Sequence, residues 1–253
     1  MKNTLNLRKY TPARVSLGLA GCALPTQDLL DLELAQAEAR DAVHAALDVD
    51  RLLAGTEALG LHPVPLRSAA PDRAEYLRNP GLGRTLAAES ISTLLGCCEN
   101  WTGGCDLVLV LGDGLSASAA NRHALPLIEV LLPLLRDEAW VLGPLCIVEQ
   151  SRVGIGDAVG AVINPRFSVV LIGERPGLSS ADSLGAYITW QPRPGRSDAE
   201  RNCISNIRPE GLGYQEAAKR LSYLLHEGRR RGLTGVGLKD DLRIEGPAAQ
   251  LLR

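Results

Sequence analysis

Residues 106–117, which read DLVLVLGDGLSA, decide the fold of this 253-residue chain. Five apolar residues at 107–111 lead into Gly112 and Gly114, and no further glycine occurs before residue 137. A short apolar run that breaks into glycines and continues as a long glycine-free segment is typical of a buried strand, a tight loop and a helix. We therefore predict a strand, a loop and then a helix over residues 116–136.

Further apolar runs repeat this arrangement towards the end of the chain. The segments are WVLGPLCIVEQ at 140–150, the glycine-broken RVGIGDAVGAVI at 152–163, FSVVLIGERPGL at 167–178 and GAYITW at 185–190. A last helix is expected over 214–231, because Gly232 is a residue type that commonly ends helices. Strands that alternate with helical segments predict an α/β fold with a mostly parallel, Rossmann-like sheet flanked by helices.

The ends of the predicted parallel strands indicate where a ligand would bind. In open α/β sheets, ligands bind beyond the carboxyl ends of the strands. Those ends are residues 112–115, 150–156 and 173–178. We expect the three segments to meet along one edge of the sheet.

The first part of the chain has a different composition. Residues 26–48 contain no glycine or proline, and this predicts a helix over 26–48 with Thr26 as its N-cap. Segment 55–83 is interrupted by Pro63, Pro65, Pro71 and Pro80, and we expect it to be an irregular connection. The sequence thus predicts an N-terminal helical region with a Pro-rich connection over 1–100, followed by an α/β domain over 101–253.

Composition and charge exclude several functions. The net charge is −2 and the Lys and Arg residues are scattered, apart from Arg229, Arg230 and Arg231 at a predicted helix end, so nucleic-acid binding is not expected. There is no signal-peptide core and no run of about 18 apolar residues, so we expect a soluble cytoplasmic protein that does not enter a membrane. Six cysteines without a CxxC pair and four histidines do not predict a metal site.

Two patterns near the first loop have competing interpretations. GDGLSA matches the looser Gly-x-Gly-x-x-Ala dinucleotide fingerprint, but the nearest acidic residue at a strand end, Glu149, lies well beyond the expected spacing of about 20 residues. A tight turn is the simpler interpretation, and a nucleotide cofactor stays open. His123 near Ser116 and Ser118 could suggest a catalytic pair, but helix capping and a half-buried imidazole account for these residues more simply.

The segment 168–211 contains the strongest candidate for a functional surface. Glu174 and Arg175 directly follow an apolar strand, and SDAERNCISNIRPEGL at 197–212 is rich in charged and amide side chains. These groups could form an internal network of ion pairs and hydrogen bonds. They could instead face a large amide-bearing ligand or another subunit. The sequence leaves both interpretations open.

Several segments spread over the chain carry a family resemblance. They are TPARVSLG at 11–18, LLDLELAQAEARDAVH at 29–44, VLGDGLSA at 110–117, SRVGIGD at 151–157, GERPGLSSADSLGAY at 173–187, GRSDAERNCISNIRPEGLGY at 195–214 and GVGLKDD at 235–241. On these segments the chain resembles the small (light) subunit of ethanolamine ammonia-lyase. That lyase is an adenosylcobalamin-dependent enzyme of ethanolamine catabolism that yields acetaldehyde and ammonia.

The resemblance implies a hetero-oligomer in which this chain pairs with a large subunit. The TIM barrel of the large subunit would bind ethanolamine, and the corrin of adenosylcobalamin would lie at the interface. In this family the small subunit supplies cofactor contacts and no catalytic acid or base, so the isolated chain is expected to be inactive. Residues 101–253 then become the cobalamin-contacting domain.

The resemblance also implies which residues contact cobalamin. They are Val153 in SRVGIGD, Glu174 in GERPGL and Cys203 in ERNCISN. Val153 would offer backbone groups and an apolar surface. Glu174 would accept hydrogen bonds from amide arms or a ribose hydroxyl, and such bonds are strengthened by the charge. Cys203 would be small enough for the ring to approach closely, without being a ligand of cobalt.

A bacterial microcompartment is a second location that the resemblance suggests. Members of the family can carry a long, variable extension before TPAR that is associated with delivery to microcompartments and with solubility. Ten residues precede Thr11 in this sequence. We therefore expect a cytoplasmic protein, with the interior of a microcompartment as the alternative.

Overall fold

The computed structural model describes residues 14–15, 17–18, 21–98 and 104–242. Thr11 and the residues before it, on which the microcompartment expectation depends, lie outside this range. The helices are α1 (Thr26–His44), α2 (Val49–Ala58), α3 (Arg73–Arg78), α4 (Ala88–Cys98), α5 (Ala117–Asp137), α6 (Ile155–Ile163) and α7 (Tyr214–Arg231). The strands are β1 (Pro63–Arg67), β2 (Leu107–Gly112), β3 (Leu142–Glu149), β4 (Phe167–Gly173), β5 (Leu184–Trp190) and β6 (Arg201–Ile207).

The strands form one six-stranded sheet in the order β1-β3-β2-β4-β5-β6. The first four strands are parallel, whereas β5 runs antiparallel to β4 and β6 antiparallel to β5. The predicted α/β class, the mostly parallel sheet and the helical N-terminal region are confirmed. Short connections explain the antiparallel strands, because β4 and β5 are joined by a loop instead of a crossover helix.

Helices cover both faces of the sheet and bury its apolar side chains. On one face α5 and α7 pack on alternate residues of the strands, among them Leu109, Phe167 and Ile188. On the other face Leu94 of α4 and Val159 of α6 pack against the intervening residues of the strands. Strand β2 is buried along its whole length, which is typical of a parallel strand with helices on both sides.

The Pro-rich segment 55–83 is more regular than predicted. It contains the end of α2, the whole of α3 and the strand β1. Pro63 and Pro65 are tolerated because β1 is an edge strand that pairs only with β3, so the missing N–H groups need no partner on the outer side. The predicted boundary near residue 100 lies outside the described residues, and the division into 1–100 and 101–253 stays a prediction.

Two other expectations are corrected. The helix predicted over 26–48 ends at His44, because Asp48 caps a second helix by accepting a hydrogen bond from the Arg51 N–H. Thr26 is the first helical residue, and Pro25 at the N-cap position makes no side-chain cap. In the polar segment 197–212 the middle residues form the strand β6. On one face of the sheet its residues Ile204 and Ile207 join the core.

Helix α7 and helix α5 agree closely with the predictions. Helix α7 ends at Arg231, and Gly232 follows with a left-handed φ of 68°. Helix α5 begins at Ala117 because the Ser116 side chain accepts a hydrogen bond from the Ala119 N–H. This cap fixes the point at which the chain leaves the loop after β2.

Candidate functional site

A groove lies at the carboxyl ends of the parallel strands, where the three predicted loops meet. One cavity of about 420 Å³ is lined by Gly114, Val153 and Glu174, one from each loop, and by Tyr187 of β5. A second cavity of about 370 Å³ shares Arg152, Val153 and Tyr187 with the first. The predicted convergence of 112–115, 150–156 and 173–178 is therefore confirmed.

The GDG turn after β2 is hydrogen-bonded to the loop after β3 and to the end of β4. The Asp113 carboxylate is buried and accepts hydrogen bonds from the backbone N–H groups of Gln150 at 2.9 Å and Ser151 at 2.8 Å. Burial raises the pKa of Asp113, although these N–H groups act in the opposite direction. The Leu115 N–H donates to the Gly173 carbonyl oxygen at 3.0 Å. The geometry therefore favours the tight turn over a phosphate-binding loop.

The floor of the groove is held by two residues from the segment that was expected to be irregular. The buried Tyr76 hydroxyl lies 2.8 Å from the Gly114 carbonyl oxygen and 3.0 Å from that of Ser151. The Arg73 guanidinium donates to the same Gly114 oxygen at 2.9 Å. Burial raises the pKa of Tyr76 to about 12, so its hydroxyl stays protonated and able to donate. Nothing in the local sequence pattern reveals these contacts.

Val153 lies in the turn that leads from β3 into α6. Its side chain is half-buried beside the core under α6, and its carbonyl oxygen accepts a hydrogen bond from the Gly156 N–H at 3.3 Å. The Val153 N–H donates to no acceptor among the described residues. The residue thus lines the groove with an apolar side chain.

Glu174 crosses from the end of β4 towards β6. Its Oε2 atom accepts a hydrogen bond from the Asn206 backbone N–H at 3.0 Å, while its own N–H donates to the Ser183 carbonyl oxygen. The absence of a side chain at Gly185 leaves room for the carboxylate, because a Cβ there would lie 3.0 Å from Oε1. Among the described residues no ion pair joins Glu174 to Arg175, which is exposed.

Cys203 faces the same side of the sheet as Tyr187. The two residues are opposite each other in the antiparallel pairing of β5 and β6, and the Cys203 Sγ atom lies 3.2 Å from Ser205 Oγ. The residue is exposed, but its thiol lies against these side chains and this partial burial raises its pKa. Burial and the neighbouring Cys203 also raise the pKa of Tyr187. Both groups are therefore neutral near pH 7.

Val153, Glu174 and Cys203 are thus joined by one surface. Val153 and Glu174 line the larger cavity together with Tyr187, and Tyr187 pairs with Cys203 across the sheet. Asp157 of α6 binds the Arg201 guanidinium on this face, and Arg201 also donates to Thr189 Oγ1. Towards Cys203 and Ser205 the sheet surface is exposed.

The polar segment 197–212 is internally bonded in its first part and has exposed side chains in its second part. Its first part is an internal network: Glu200 bonds the Ser197 N–H and the Arg196 guanidinium, and these contacts lower the pKa of Glu200 to about 2. The buried Arg201 guanidinium forms a paired contact with Asp157, at 2.9 and 2.5 Å. Further along, Cys203, Ser205 and Asn206 are exposed, whereas Ile204 and Ile207 are buried in the core.

The Ser and His residues considered near the first loop form no catalytic pair. His123 is buried, with Nδ1 2.8 Å from the Tyr214 hydroxyl and Nε2 3.4 Å from Asp182 Oδ2. Burial lowers the pKa of His123, partly offset by Asp182. The Ser116 hydroxyl donates to the Ala181 carbonyl oxygen and caps α5. Ser116 thus caps a helix and His123 is a buried imidazole that links α5 to Tyr214 and Asp182, in agreement with the simpler interpretation.

Comparison with known proteins identifies close relatives. Residues 1–239 match the family model described as ethanolamine ammonia-lyase light chain (EutC). The chain is 53% identical over 245 residues to an ethanolamine ammonia-lyase small subunit of Bradyrhizobium diazoefficiens, covering 96% of this chain and 93% of the relative. It is 51% identical over 238 residues to the small subunit of Azotobacter vinelandii, covering 94% and 88% respectively. Within the described residues, no helix has the length and apolar character needed to span a membrane.

Proposed function

The chain belongs to the ethanolamine ammonia-lyase light chain family, and from this premise we propose that Val153, Glu174 and Cys203 form its share of an adenosylcobalamin site. The observation that supports the proposal is their position on one open surface at the ligand edge of the sheet. The groove has its other side open, so a second protein surface must complete it. We propose that this surface belongs to the large subunit.

The hydrogen-bonding groups of the groove are suited to the amide-bearing corrin ring. The Val153 N–H and the Glu174 Oε1 atom have no hydrogen-bond partner among the described residues, so one can donate to an amide oxygen and the other can accept from an amide nitrogen. A charged acceptor strengthens the second bond. Because Cys203 and Ser205 are small, the sheet surface beside Tyr187 is low enough for a flat ring to lie against it.

We propose that the two subunits have different roles, with cofactor binding in this chain and substrate binding in the large subunit. Among the described residues lining the groove there is no nucleophile activated by a base, since the raised pKa of Cys203 keeps that thiol protonated. When bound, adenosylcobalamin supplies the radical chemistry of the lyase reaction. This chain positions the cofactor, and we propose that the TIM barrel of the large subunit binds ethanolamine. The isolated chain is accordingly expected to be inactive.

Glu174→Ala tests the proposed contact. In the assembly with the large subunit we expect the variant to bind adenosylcobalamin about 10- to 100-fold more weakly, because a charged hydrogen bond contributes roughly 1.5–3 kcal/mol. The affinity of the two subunits for each other should stay within about twofold of wild type, since the residue is only half-buried and its loss leaves the fold intact. Equilibrium dialysis of the cofactor and analytical ultracentrifugation of the subunits measure the two affinities separately.

The matched control is Glu57→Ala, which removes an exposed carboxylate from α2. It should change neither affinity. Unchanged cofactor affinity in Glu174→Ala would remove Glu174 from the site.

The expected location is tested in cells. A fluorescent fusion of the chain, expressed together with microcompartment shell proteins, should concentrate in the compartments only if the alternative location, the interior of a microcompartment, is right. Diffuse fluorescence in the presence of assembled shells would leave the cytoplasm as its location.

A further inference from the structure

Three arginines line the groove without a carboxylate partner among the described residues. They are Arg84, Arg152 and Arg175. Most arginines of the α/β region do form ion pairs, for example Arg166 with Asp106 and Arg201 with Asp157. An unpaired guanidinium is unremarkable in open solvent, but three that surround one groove are a site for an anion.

Arg152 is built into the groove. Its side chain is half-buried and its guanidinium lies 5.3 Å from the centre of the buried Tyr76 ring. The stem passes over Gly83, where a Cβ would come within 3.0 Å of Arg152 Cγ. The Arg152 N–H also donates to the Gly83 carbonyl oxygen at 2.7 Å. Stacking and backbone contacts thus orient a cation before any ligand binds.

Arg84 flanks the same turn from the other side. Its stem lies beside Gly154, where a Cβ would be 3.2 Å from Arg84 Cγ. Arg84 and Arg152 therefore both line the smaller cavity, together with Val153 and Gly154. Arg175 lies across the larger cavity, next to Glu174. Arg152 lines both cavities, so a ligand that extends from one to the other passes its guanidinium.

The acidic residues of the groove do not neutralise these cations. Glu174 is directed to the Asn206 N–H. The side chain of Asp198 is 80% exposed and its closest cation is Arg201, at 3.5 Å. Two arginines at one turn, with no acidic partner, are suited to a phosphate group, whose oxygens accept paired hydrogen bonds from guanidinium.

We propose that Arg84 and Arg152, with Arg175 across the groove, bind the phosphodiester of the nucleotide tail of adenosylcobalamin. This inference rests on the proposed function, because it names the part of the same cofactor that the basic end of the groove recognises. The amide-bearing ring would lie towards Glu174 and Cys203, and the tail towards the turn at Val153. An acidic side chain of the large subunit is the competing partner for these arginines.

The test compares two corrins in the assembly of this chain with the large subunit. Adenosylcobinamide lacks the phosphodiester and the nucleotide base that adenosylcobalamin carries. Arg152→Gln should weaken adenosylcobalamin about 10- to 100-fold, the effect of losing a charged hydrogen bond, and should leave adenosylcobinamide within about twofold. Dissociation constants come from equilibrium dialysis read by corrin absorbance, so no turnover is needed.

Two further variants keep the test independent of folding defects. Arg84→Gln should show the same preference with a smaller loss, because Arg84 is exposed and does not support Tyr76. Arg230→Gln removes a cation at the end of α7, remote in sequence and paired with Glu227, and should affect neither corrin.

The outcomes separate the alternatives. An equal loss for both corrins, or no loss for either in both groove variants, would overturn the phosphate subsite. Weaker subunit association in the absence of any corrin would assign the arginines to an acidic residue of the large subunit and would also overturn it. If the wild-type assembly bound neither corrin, the proposed function itself would fail. Wild-type binding of adenosylcobalamin with both groove variants unaffected would overturn only the phosphate contact and leave the proposed function standing.

Discussion

Gly114 shows how strictly single residues define the groove. Its φ is 55°, and a Cβ there would lie 2.6 Å from Ile172 Cγ1 and closer still to the Gly173 carbonyl oxygen. We expect Gly114→Ala to lower the free energy of unfolding by about 2–4 kcal/mol, from left-handed strain plus overpacking. Urea denaturation measures the change. Gly96→Ala in α4, which meets no atom within 4 Å, should be neutral or stabilising by up to about 1 kcal/mol; comparable losses in both variants would contradict the explanation.

His123 makes the stability of this region dependent on pH. Burial lowers its pKa in the folded chain, against the influence of Asp182. The unfolded chain therefore takes up a proton at higher pH than the folded chain. The stabilisation is present above the unfolded pKa of about 6.5 and is lost as the pH falls below it.

The pH effect is measured as the free energy of unfolding at pH 7.5 and at pH 5.5. Wild type should lose more stability on acidification than His123→Gln, which keeps an amide at this position but cannot titrate. Asp182, Arg122 and Tyr214 face the imidazole, and all three remain in both proteins. Identical pH profiles would show that His123 does not titrate in this range.

Individual residues could be predicted where a local sequence pattern or the family resemblance pointed to them. Gly232 ends α7 as expected, because a left-handed end needs only a local glycine. Glu174 and Val153 were predicted through family resemblance, and the structure shows that both line the larger cavity. Tyr76 and Arg84 were missed, since their contacts with the groove join segments far apart in sequence and leave no periodic pattern.

At the scale of elements, the buried pair Asp157–Arg201 joins α6 to β6. The two side chains are 8% and 3% exposed, and Arg201 also donates to Thr189 Oγ1 at 2.9 Å. Asp157→Ala would leave the buried guanidinium with the exposed Asp198, 3.5 Å from Nε, as its remaining acidic partner, and we expect a loss of about 3 kcal/mol in the free energy of unfolding. Denaturation by urea measures it.

Two comparisons test whether the buried charge of Arg201, left without Asp157, causes the loss of stability. Asp157→Leu combined with Arg201→Met should recover much of the lost stability, because no buried charge remains. Arg166→Ala, which breaks the exposed pair with Asp106, should cost about 0–1 kcal/mol. If the double variant were as unstable as the sum of its single variants, ordinary packing would explain the loss.

Strands β1 and β6 show why element prediction failed where it did. Both lie at the edges of the sheet, where one side of the strand needs no hydrogen-bonding partner and one face is only partly covered. Prolines in β1 and polar residues in β6 are compatible with such positions, yet both patterns indicate loops when judged locally. The buried strands β2 and β4 were predictable because burial on both faces requires continuous apolar runs.

For the whole molecule, the open groove predicts dependence on a second protein. The isolated chain should produce no acetaldehyde from ethanolamine and should not bind NAD(P), because the Leu115 and Ser116 N–H groups that follow the GDG turn already donate to the Gly173 and Asp113 carbonyl oxygens. Addition of the large subunit and adenosylcobalamin should produce activity, with coupled alcohol dehydrogenase reporting the aldehyde. Binding of NAD(P) by the isolated chain would revive the nucleotide interpretation of GDGLSA.

The hydrogen bond that orients Glu174 comes from a backbone, and this has an evolutionary consequence. Asn206 donates through its main-chain N–H and has a φ of 58°, a conformation that asparagine and glycine adopt most readily. Substitution there carries a conformational cost in addition to the loss of the hydrogen bond that the Asn206 side chain accepts from Arg208 Nε at 3.0 Å. Within this family, glycine is therefore expected to be the best-tolerated replacement for asparagine at position 206, while β-branched residues are selected against. A carboxylate anchored in this way keeps its orientation even when the sequence beside it diverges.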